Sequence, residues 1–311
     1  MKTRAWSSPP PRAPPFLLSL LLLLLLLFSA APAWAQTGGH VEAFTWENDA
    51  FNGWRWETAS SEHSQGTGAG DMYGYSVGCS GRGGRSRWRV VAYGTPGDDD
   101  GGVDSGSVSI YEWSGYTFSS RFISSDKTTI VRSPGAGAGF GRATSASVTP
   151  YPGDNIAFAL VAVGAPHLQS GTGAVYVYHK YVGDRGGDSS ESSSIRSTAW
   201  TLGATLQAPD KVAGDLYGFS VAVAASEGLS WLAVGAPNKA SSTGAVYVYR
   251  RAAGASGAWT YVGKIGSGMA AGDKYGFSMA MRFTPSVGFI LVVGAPYDDD
   301  KGTNSVYNTD S

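Results

Sequence analysis

Short stretches of alternating large and small residues, separated by turns rich in Gly, Ser and Asn, follow one another along most of this chain. The clearest series runs through residues 217–224, 228–235, 244–250 and 259–265. Period-two alternation and many β-branched and aromatic residues indicate strands, whereas no segment shows a helical period. The pattern predicts an all-β protein of short antiparallel strands.

A longer unit recurs four times, with copies that start near residues 71, 138, 215 and 273. Each copy has an aromatic-Gly-x-Ser/Ala element followed by a Gly-x-Pro element, and the clearest copies continue with Val-x-Val-Tyr. The recurring residues are Gly74, Gly94 and Pro96 in the first copy, Gly141, Gly164 and Pro166 in the second, Gly218, Gly235 and Pro237 in the third, and Gly276, Gly294 and Pro296 in the fourth. Four strands per repeat, each repeat stacked on its neighbours, describe the blades of a β-propeller.

The recurring residues have structural roles in such a blade. Glycine after the aromatic residue permits close approach of two backbones, and proline ends the second strand because it has no N–H to donate. Val-x-Val-Tyr places alternate side chains on the two faces of the sheet, one against each neighbouring blade. Asp71, Asp215 and Asp273 each precede the aromatic residue by two positions, and we expect their carboxylates to accept hydrogen bonds from turn N–H groups.

These elements resemble the FG-GAP repeat family, best known from the N-terminal propellers of integrin α subunits. The resemblance covers about residues 73–307 and implies an extracellular β-propeller that serves adhesion or protein binding. It further implies a contact face built from the loops that join strands two and three and those that join one blade to the next. The first set comprises residues 98–106, 167–173, 238–244 and 297–302.

The number of blades has two interpretations. Residues 36–70 align with the third and fourth strands of a blade, and the chain from Tyr275 onward supplies a first and a second strand. Residues 36–311 therefore form either a four-bladed propeller closed by these complementary halves or a fragment of a seven-bladed one. Incomplete closure would leave strand edges exposed, which predicts self-association.

The first 35 residues are expected to be a secretory signal peptide, with a basic start, a leucine-rich run and an Ala33-Trp34-Ala35 cleavage site. An uncleaved signal anchor is the alternative. Cleavage changes the balance from 23 basic and 24 acidic residues to 20 and 24, which gives no electrostatic case for nucleic acid. We expect a secreted protein with no membrane span in the mature chain, or the extracellular part of a membrane protein if the chain is truncated.

Two acidic segments suggest one candidate cofactor, Ca²⁺. The candidate ligands are Asp98, Asp100 and Asp104 in the first copy and Asp298 and Asp300 in the fourth. Oxygen-rich loops with a turn-forming glycine suit this cation. Both segments follow the Gly-x-Pro element, however, whereas the integrin-like calcium loop precedes it. A solvated turn is therefore the alternative interpretation.

Signals for catalysis are weak. The 4 histidines have no metal-binding spacing, and Cys79, the only cysteine, has no evident partner base. We expect Cys79 to be a small buried side chain in a strand. The sequence therefore favours a non-enzymatic module that binds an extracellular protein, with a carbohydrate-binding propeller that uses its tryptophans as the alternative.

Overall fold

The fold consists of sixteen strands and two single-turn helices in the part of the chain that the structure describes. The computed structural model describes residues 40–49, 53–63, 70–81, 87–115, 125–131, 134–150, 156–183, 199–226, 228–252, 258–266 and 268–298, all within the unit Gly38–Ser311. The signal-peptide prediction lies outside these residues. The strands are β1 (His40–Asp49), β2 (Gly53–His63), β3 (Ser76–Gly81), β4 (Arg87–Thr95), β5 (Ser107–Gly115), β6 (Ser125–Val131), β7 (Ala143–Pro150), β8 (Ile156–Ala165), β9 (Ala174–Gly183), β10 (Thr201–Leu206), β11 (Ser220–Ala225), β12 (Leu229–Ala236), β13 (Ala245–Ala252), β14 (Thr260–Ile265), β15 (Ser278–Thr284) and β16 (Gly288–Gly294), and the helices are α1 (Leu168–Gly171) and α2 (Lys239–Ser242).

Three antiparallel sheets of four strands correspond to the first three copies of the repeat. The first blade is β3–β4–β5–β6, the second is β7–β8–β9–β10 and the third is β11–β12–β13–β14, each in chain order. Two further sheets are hairpins, β1–β2 near the N-terminus and β15–β16 in the fourth copy. The predicted all-β class and the four-stranded blade are confirmed. Ring closure by the two hairpins stays a prediction.

The first strand of a blade begins later than its alternation suggests. In the third blade the predicted strand starts at Tyr217, but β11 starts at Ser220. The reason is a turn: Leu216 and Gly218 have positive φ angles of 57° and 91°, which extended backbone does not allow. The second strand ends where predicted, because β12 stops at Ala236, directly before Pro237.

Apolar side chains fill the two junctions between complete blades. Successive residues of the second strand point to opposite neighbours: Val161 and Val163 pack against the first blade, and Leu160 packs against the third. Val-x-Val-Tyr behaves in the same way in the second blade, since Val175 belongs to one cluster and Tyr176 to the other. Its predicted two-faced role is confirmed.

Glycine is required where consecutive blades meet. A Cβ atom added to Gly164 would lie 2.0 Å from the carbonyl oxygen of Gly218 in the next blade, far inside van der Waals contact. Gly218 in turn donates its N–H to the carbonyl of Gly235 in its own blade, at 3.0 Å. We call this arrangement the glycine contact. It recurs between Gly94 and Gly141 and between Gly235 and Gly276, where the added Cβ would lie 1.9 and 2.1 Å from the carbonyl oxygen.

A serine reinforces the glycine contact in two of the junctions. The hydroxyl of Ser76 donates to the carbonyl of Gly141 at 2.8 Å, and that of Ser220 donates to the carbonyl of Gly276 at 2.6 Å. The second copy has Ala143 at this position. Its junction with the third blade therefore lacks this hydrogen bond.

A buried ion pair joins the third strand of the first blade to the third strand of the second. Lys180 of β9 lies 2.7 Å from Glu112 of β5, and both side chains are nearly inaccessible to solvent. Trp200 donates its indole N–H to the same Glu112 oxygen at 2.6 Å. Because a buried charge without a partner is strongly unfavourable, the pair fixes how these two blades align.

The expectation that Cys79 is buried is wrong. Cys79 lies in β3 as expected but is exposed, as is its neighbour on the same face, Val77. The equivalent strands β7 and β11 each have a sheet packed on both sides, a complete blade in every case except the β15–β16 hairpin beside β11. Burial at these positions thus depends on a neighbouring sheet, which a pattern within one strand does not reveal.

Gly164→Ala tests the glycine contact. The new methyl group would force the second and third blades apart, so the free energy of unfolding should fall by about 1–3 kcal/mol, as for other overpacked interiors. Urea denaturation measures the change. Gly263→Ala is the matched control, because an added Cβ there meets no atom within 4 Å. Equal effects of the two substitutions would contradict the assignment.

Ala143→Ser should supply the hydrogen bond that the second junction lacks. We expect the free energy of unfolding to rise by about 0.5–1.5 kcal/mol, the usual net contribution of such a bond. Ser220→Ala should lower it by a similar amount at the next junction. A destabilising Ala143→Ser would show that the second junction is too tight for a hydroxyl, and would refute the equivalence of these positions.

Candidate functional site

Two sets of loops meet at one end of the blades. Each loop between strands two and three accepts backbone hydrogen bonds from the segment that leads into the next blade. The bonds run from the N–H of Phe140 to Ser105, from Leu216 to Gly171 and from Tyr275 to Thr243, at 3.0, 2.8 and 3.0 Å. The two loop sets expected to form the contact face therefore lie side by side in the described blades.

One turn shape leads into all four first strands. The residue before the aromatic has a positive φ angle of 54–61° at Met72, Gly139, Leu216 and Lys274. The N–H group three residues later closes the turn by donating to that residue's carbonyl, at 3.0–3.1 Å in each copy. The closing residue is x of aromatic-Gly-x-Ser/Ala. Its side chain consequently leaves the backbone at an equivalent point in every blade.

The buried aspartates accept hydrogen bonds from turn N–H groups as expected, in the turns directly before these. Asp215 accepts a hydrogen bond from the N–H of Val212 at 2.8 Å, and Asp273 accepts one from Ala270 at 2.6 Å. Asp71 is buried at the corresponding position of the first copy. The carboxylates thus hold the loops from which the x residues project.

The x side chains stack on one another across the blades. The guanidinium carbon of Arg142 lies 4.5 Å from the ring centroid of Tyr75 and 4.8 Å from that of Phe219. The rings of Phe219 and Phe277 are 4.9 Å apart, and Tyr297 continues the series 6.4 Å from Phe277. We call Tyr75, Arg142, Phe219, Phe277 and Tyr297 the stacked row. It joins the first blade to the fourth repeat in one continuous surface.

The ends of the stacked row are accessible and its interior is positively charged. Tyr75 is 46% exposed and Tyr297 is 58% exposed, while the three residues between them are half-buried. The ammonium of Lys274 lies 4.8 Å from the ring centroid of Tyr297, so a cation lies over a ring near each end of the row. Stacked cations and rings attract each other. The row is thus preorganised, with two aromatic rings left for a partner.

His167 adds a titratable group beside the stacked row. It lies at the start of the loop that contains α1, and partial burial lowers the pKa of its imidazole, with the charge of Arg142 acting in the same direction. A neutral His167 avoids a second positive charge next to Arg142. The electrostatic character of this surface therefore changes with pH.

A polar network fixes the loop end of the third blade. The ammonium of Lys239 lies 2.8 Å from Asp215 and 3.7 Å from Asp210, and Lys264 lies 2.8 Å from Asp210. Burial opposes ionisation of Asp210, but hydrogen bonds from Lys264 and Tyr247 and the charge of Lys239 outweigh it and lower the pKa to about 2. This part of the surface is linked by ion pairs and carries balanced charge.

The candidate calcium ligands lie in different surroundings. Asp98 is buried, and its carboxylate accepts hydrogen bonds from the N–H of Asp100, at 2.9 Å, and from the hydroxyl of Ser107. Asp100, Asp104 and Asp298 are exposed, and Asp300 lies outside the described residues. Among the residues that the structure describes, no three acidic, histidine or cysteine side chains converge as a metal site. The calcium hypothesis stays a prediction.

Three tryptophans lie at the blade junctions. Trp200 is tied to Glu112, Trp231 packs 6.0 Å from the ring of Phe289 in the fourth repeat, and Trp259 packs against the core between the second and third blades. None of the three is exposed. Tyrosines, rather than these tryptophans, provide the accessible rings of the candidate site.

Comparison with known families agrees with this geometry. Residues 200–249 match the family model of the FG-GAP repeat, a segment that runs from β10 through β11 and β12 into β13. A search of curated proteins found no match to the chain. The resemblance to FG-GAP repeats is therefore confirmed for this segment, and such repeats suggest a β-propeller-like module of the kind often present in extracellular binding proteins. In the described residues, no helix has the length and apolar character needed to cross a membrane.

Sequence reasoning missed the stacked row. The x position holds Tyr, Arg, Phe and Phe in the four copies, so no single residue type recurs there. The available signal was size, because every copy has a large flat side chain at a position followed by Ser or Ala. Their contact depends on blades that are far apart in sequence.

The two described histidines with shifted pKa values predict a pH dependence of stability. Burial, followed by the charge of Arg142 or Arg251, lowers the pKa of His167 and His179 below 6.5. The folded protein therefore binds fewer protons than the unfolded chain. Stability from these groups is fully present above about pH 6.5 and is lost as the pH falls through the lowered values.

Urea denaturation at pH 7.5 and 5.0 measures this loss. His167→Gln and His179→Gln should each remove part of the difference, and the double variant should remove most of the histidine contribution. An unchanged pH dependence in the double variant would assign the effect to other groups.

Proposed function

We propose that the chain is a secreted, non-enzymatic module that binds an extracellular macromolecule through the loop end of its blades, in cell adhesion or as part of a receptor. The stacked row carries this proposal. Its accessible ends, Tyr75 and Tyr297, are large rings with polar tips, the side chains that most often anchor protein interfaces. The FG-GAP repeat at residues 200–249 supports the same class of function.

Preorganisation explains how this surface could bind tightly. Tyr75 is held by Arg142, and Tyr297 is held by Phe277 and Lys274. Side chains that are already ordered lose little conformational entropy when a partner binds. The cations over these rings favour a partner with acidic or hydroxyl groups around an apolar contact.

A carbohydrate ligand is the second candidate. Exposed tyrosine rings can stack against sugar faces, and the positive charges of Arg142 and Lys274 would then favour acidic glycans. The two candidate functions predict binding to different probes, so one set of variants distinguishes them.

Tyr75→Ala and Tyr297→Ala should each weaken binding by about tenfold or more, as expected when an interface anchor is truncated. The assay measures labelled protein on cultured cells, on immobilised extracellular-matrix proteins and on a glycan array. Tyr261→Ala is the control, because Tyr261 is similarly exposed at 42% but lies on the outer strand β14.

The probes separate the outcomes. Binding to matrix proteins or to cells stripped of glycans, lost in both row variants, supports adhesion. Binding to defined glycans, lost in the same variants, replaces adhesion with the carbohydrate alternative. Binding that the row variants leave intact and that Tyr261→Ala abolishes would overturn the site.

A further inference from the structure

The first strand of each blade has two unlike faces. Where the structure describes a neighbouring blade, one face always packs against the next blade, and the other always packs against the preceding blade. We call the face toward the next blade the forward face and the opposite one the rear face. The Ser80 hydroxyl on the forward face of β3 accepts the N–H of Val148 in β7, at 2.9 Å. Likewise, Ser145 and Ser147 of β7 accept N–H groups of Val223 and Ala225 in β11, at 3.1 and 3.0 Å.

Rear faces carry larger, apolar side chains. Ala146 and Val148 of β7 pack into the core shared with the first blade, and Val221 and Val223 of β11 pack into the core shared with the second. Strand contacts run from β3 to β7, from β7 to β11 and from β11 to β15. The chain thus repeats one interface, small forward face against larger rear face, three times.

This series leaves one forward face and one rear face accessible. The hairpin β15–β16 exposes its forward face, where Ala280 pairs with Val292 and Arg282 pairs with Ile290. Val292 is 63% exposed and Ile290 is 42% exposed. At the other end, β3 exposes Val77, at 54%, and Cys79 on its rear face. Because both faces are accessible, β3 and the β15–β16 hairpin of one copy do not cover each other in the described residues.

We propose that these faces bind each other between two copies of the chain, the forward face of β15–β16 of one copy packing against the rear face of β3 of another. The contact continues the interface already present between β11 and β15, so it needs no new kind of surface. It does not depend on the binding role proposed above. A head-to-tail contact of this type gives a ring when the rotation closes and longer assemblies when it does not.

Side-chain sizes at the proposed contact are complementary. Arg282 occupies the position of Ser80 and Ser147, whose partners in the next blade are Val148 and Ala225. The position equivalent to these partners in β3 is Gly81. The largest forward residue would therefore meet the smallest rear residue, which leaves room for the arginine side chain.

Val292→Lys tests the contact. Burying an ammonium in an apolar interface is unfavourable, so we expect the dissociation constant for self-association to rise by about tenfold or more, measured by analytical ultracentrifugation over a range of concentrations. Val287→Lys is the matched control. Val287 is 72% exposed in the same hairpin but lies in the turn between β15 and β16 rather than on the forward face.

Ala280→Cys gives a second, geometric test. By analogy with Gly78, which approaches Ser145 and Ala146 of the next blade, position 280 should lie opposite Cys79 of the second copy. Mild oxidation should then form a disulfide between position 280 of one copy and Cys79 of the other, seen as a covalent dimer and mapped by mass spectrometry. Val287→Cys should form this bond far less.

Each outcome decides the proposal. An interchain bond between positions 79 and 280, together with weaker association of Val292→Lys, supports it. An intrachain bond between the same positions would show instead that the chain closes on itself. A monomer at all concentrations, a covalent dimer joined by two Cys79 residues, or association that Val292→Lys leaves unchanged would overturn it.

Discussion

The approach of one glycine to the carbonyl of another determines most of this structure. Where the second strand of a blade ends, the backbone of the next blade comes so close that no side chain fits, and three junctions repeat this contact. The second glycine must also adopt a positive φ angle, which side chains disfavour. Both requirements are local, yet together they fix the separation of the blades. The apolar junctions, the serine hydrogen bonds and the stacked row all depend on that separation.

The sequence predicted what each repeat specifies by itself. Gly164, Pro166 and the Val-x-Val-Tyr rungs recur because every blade needs them, so their roles could be read from one copy and checked in the others. Asp215 and Asp273 were predictable for the same reason, since a turn N–H lies within reach of a nearby carboxylate.

Features that arise between repeats were not predictable. The stacking of Arg142 between Tyr75 and Phe219 joins residues 67 and 77 positions apart, and the four x positions share no residue type. Cys79 was expected to be buried because free cysteine usually behaves as a small buried apolar side chain, whereas its exposure reflects the absence of a sheet against that face among the described residues. Tyr217 was placed inside a strand because alternation does not reveal a turn that depends on positive φ.

Nearest-neighbour packing has a consequence for how stability is distributed along the chain. A blade in the interior packs through both of its unlike faces, whereas one at the end of the described series packs through one face only. In such arrays, stability is approximately the sum of the repeats and their junctions. Opening should therefore begin at β3 and at β15–β16 and reach the second blade last. Among the described blades, local stability should therefore be highest in the second blade and fall toward β3 and toward β15–β16.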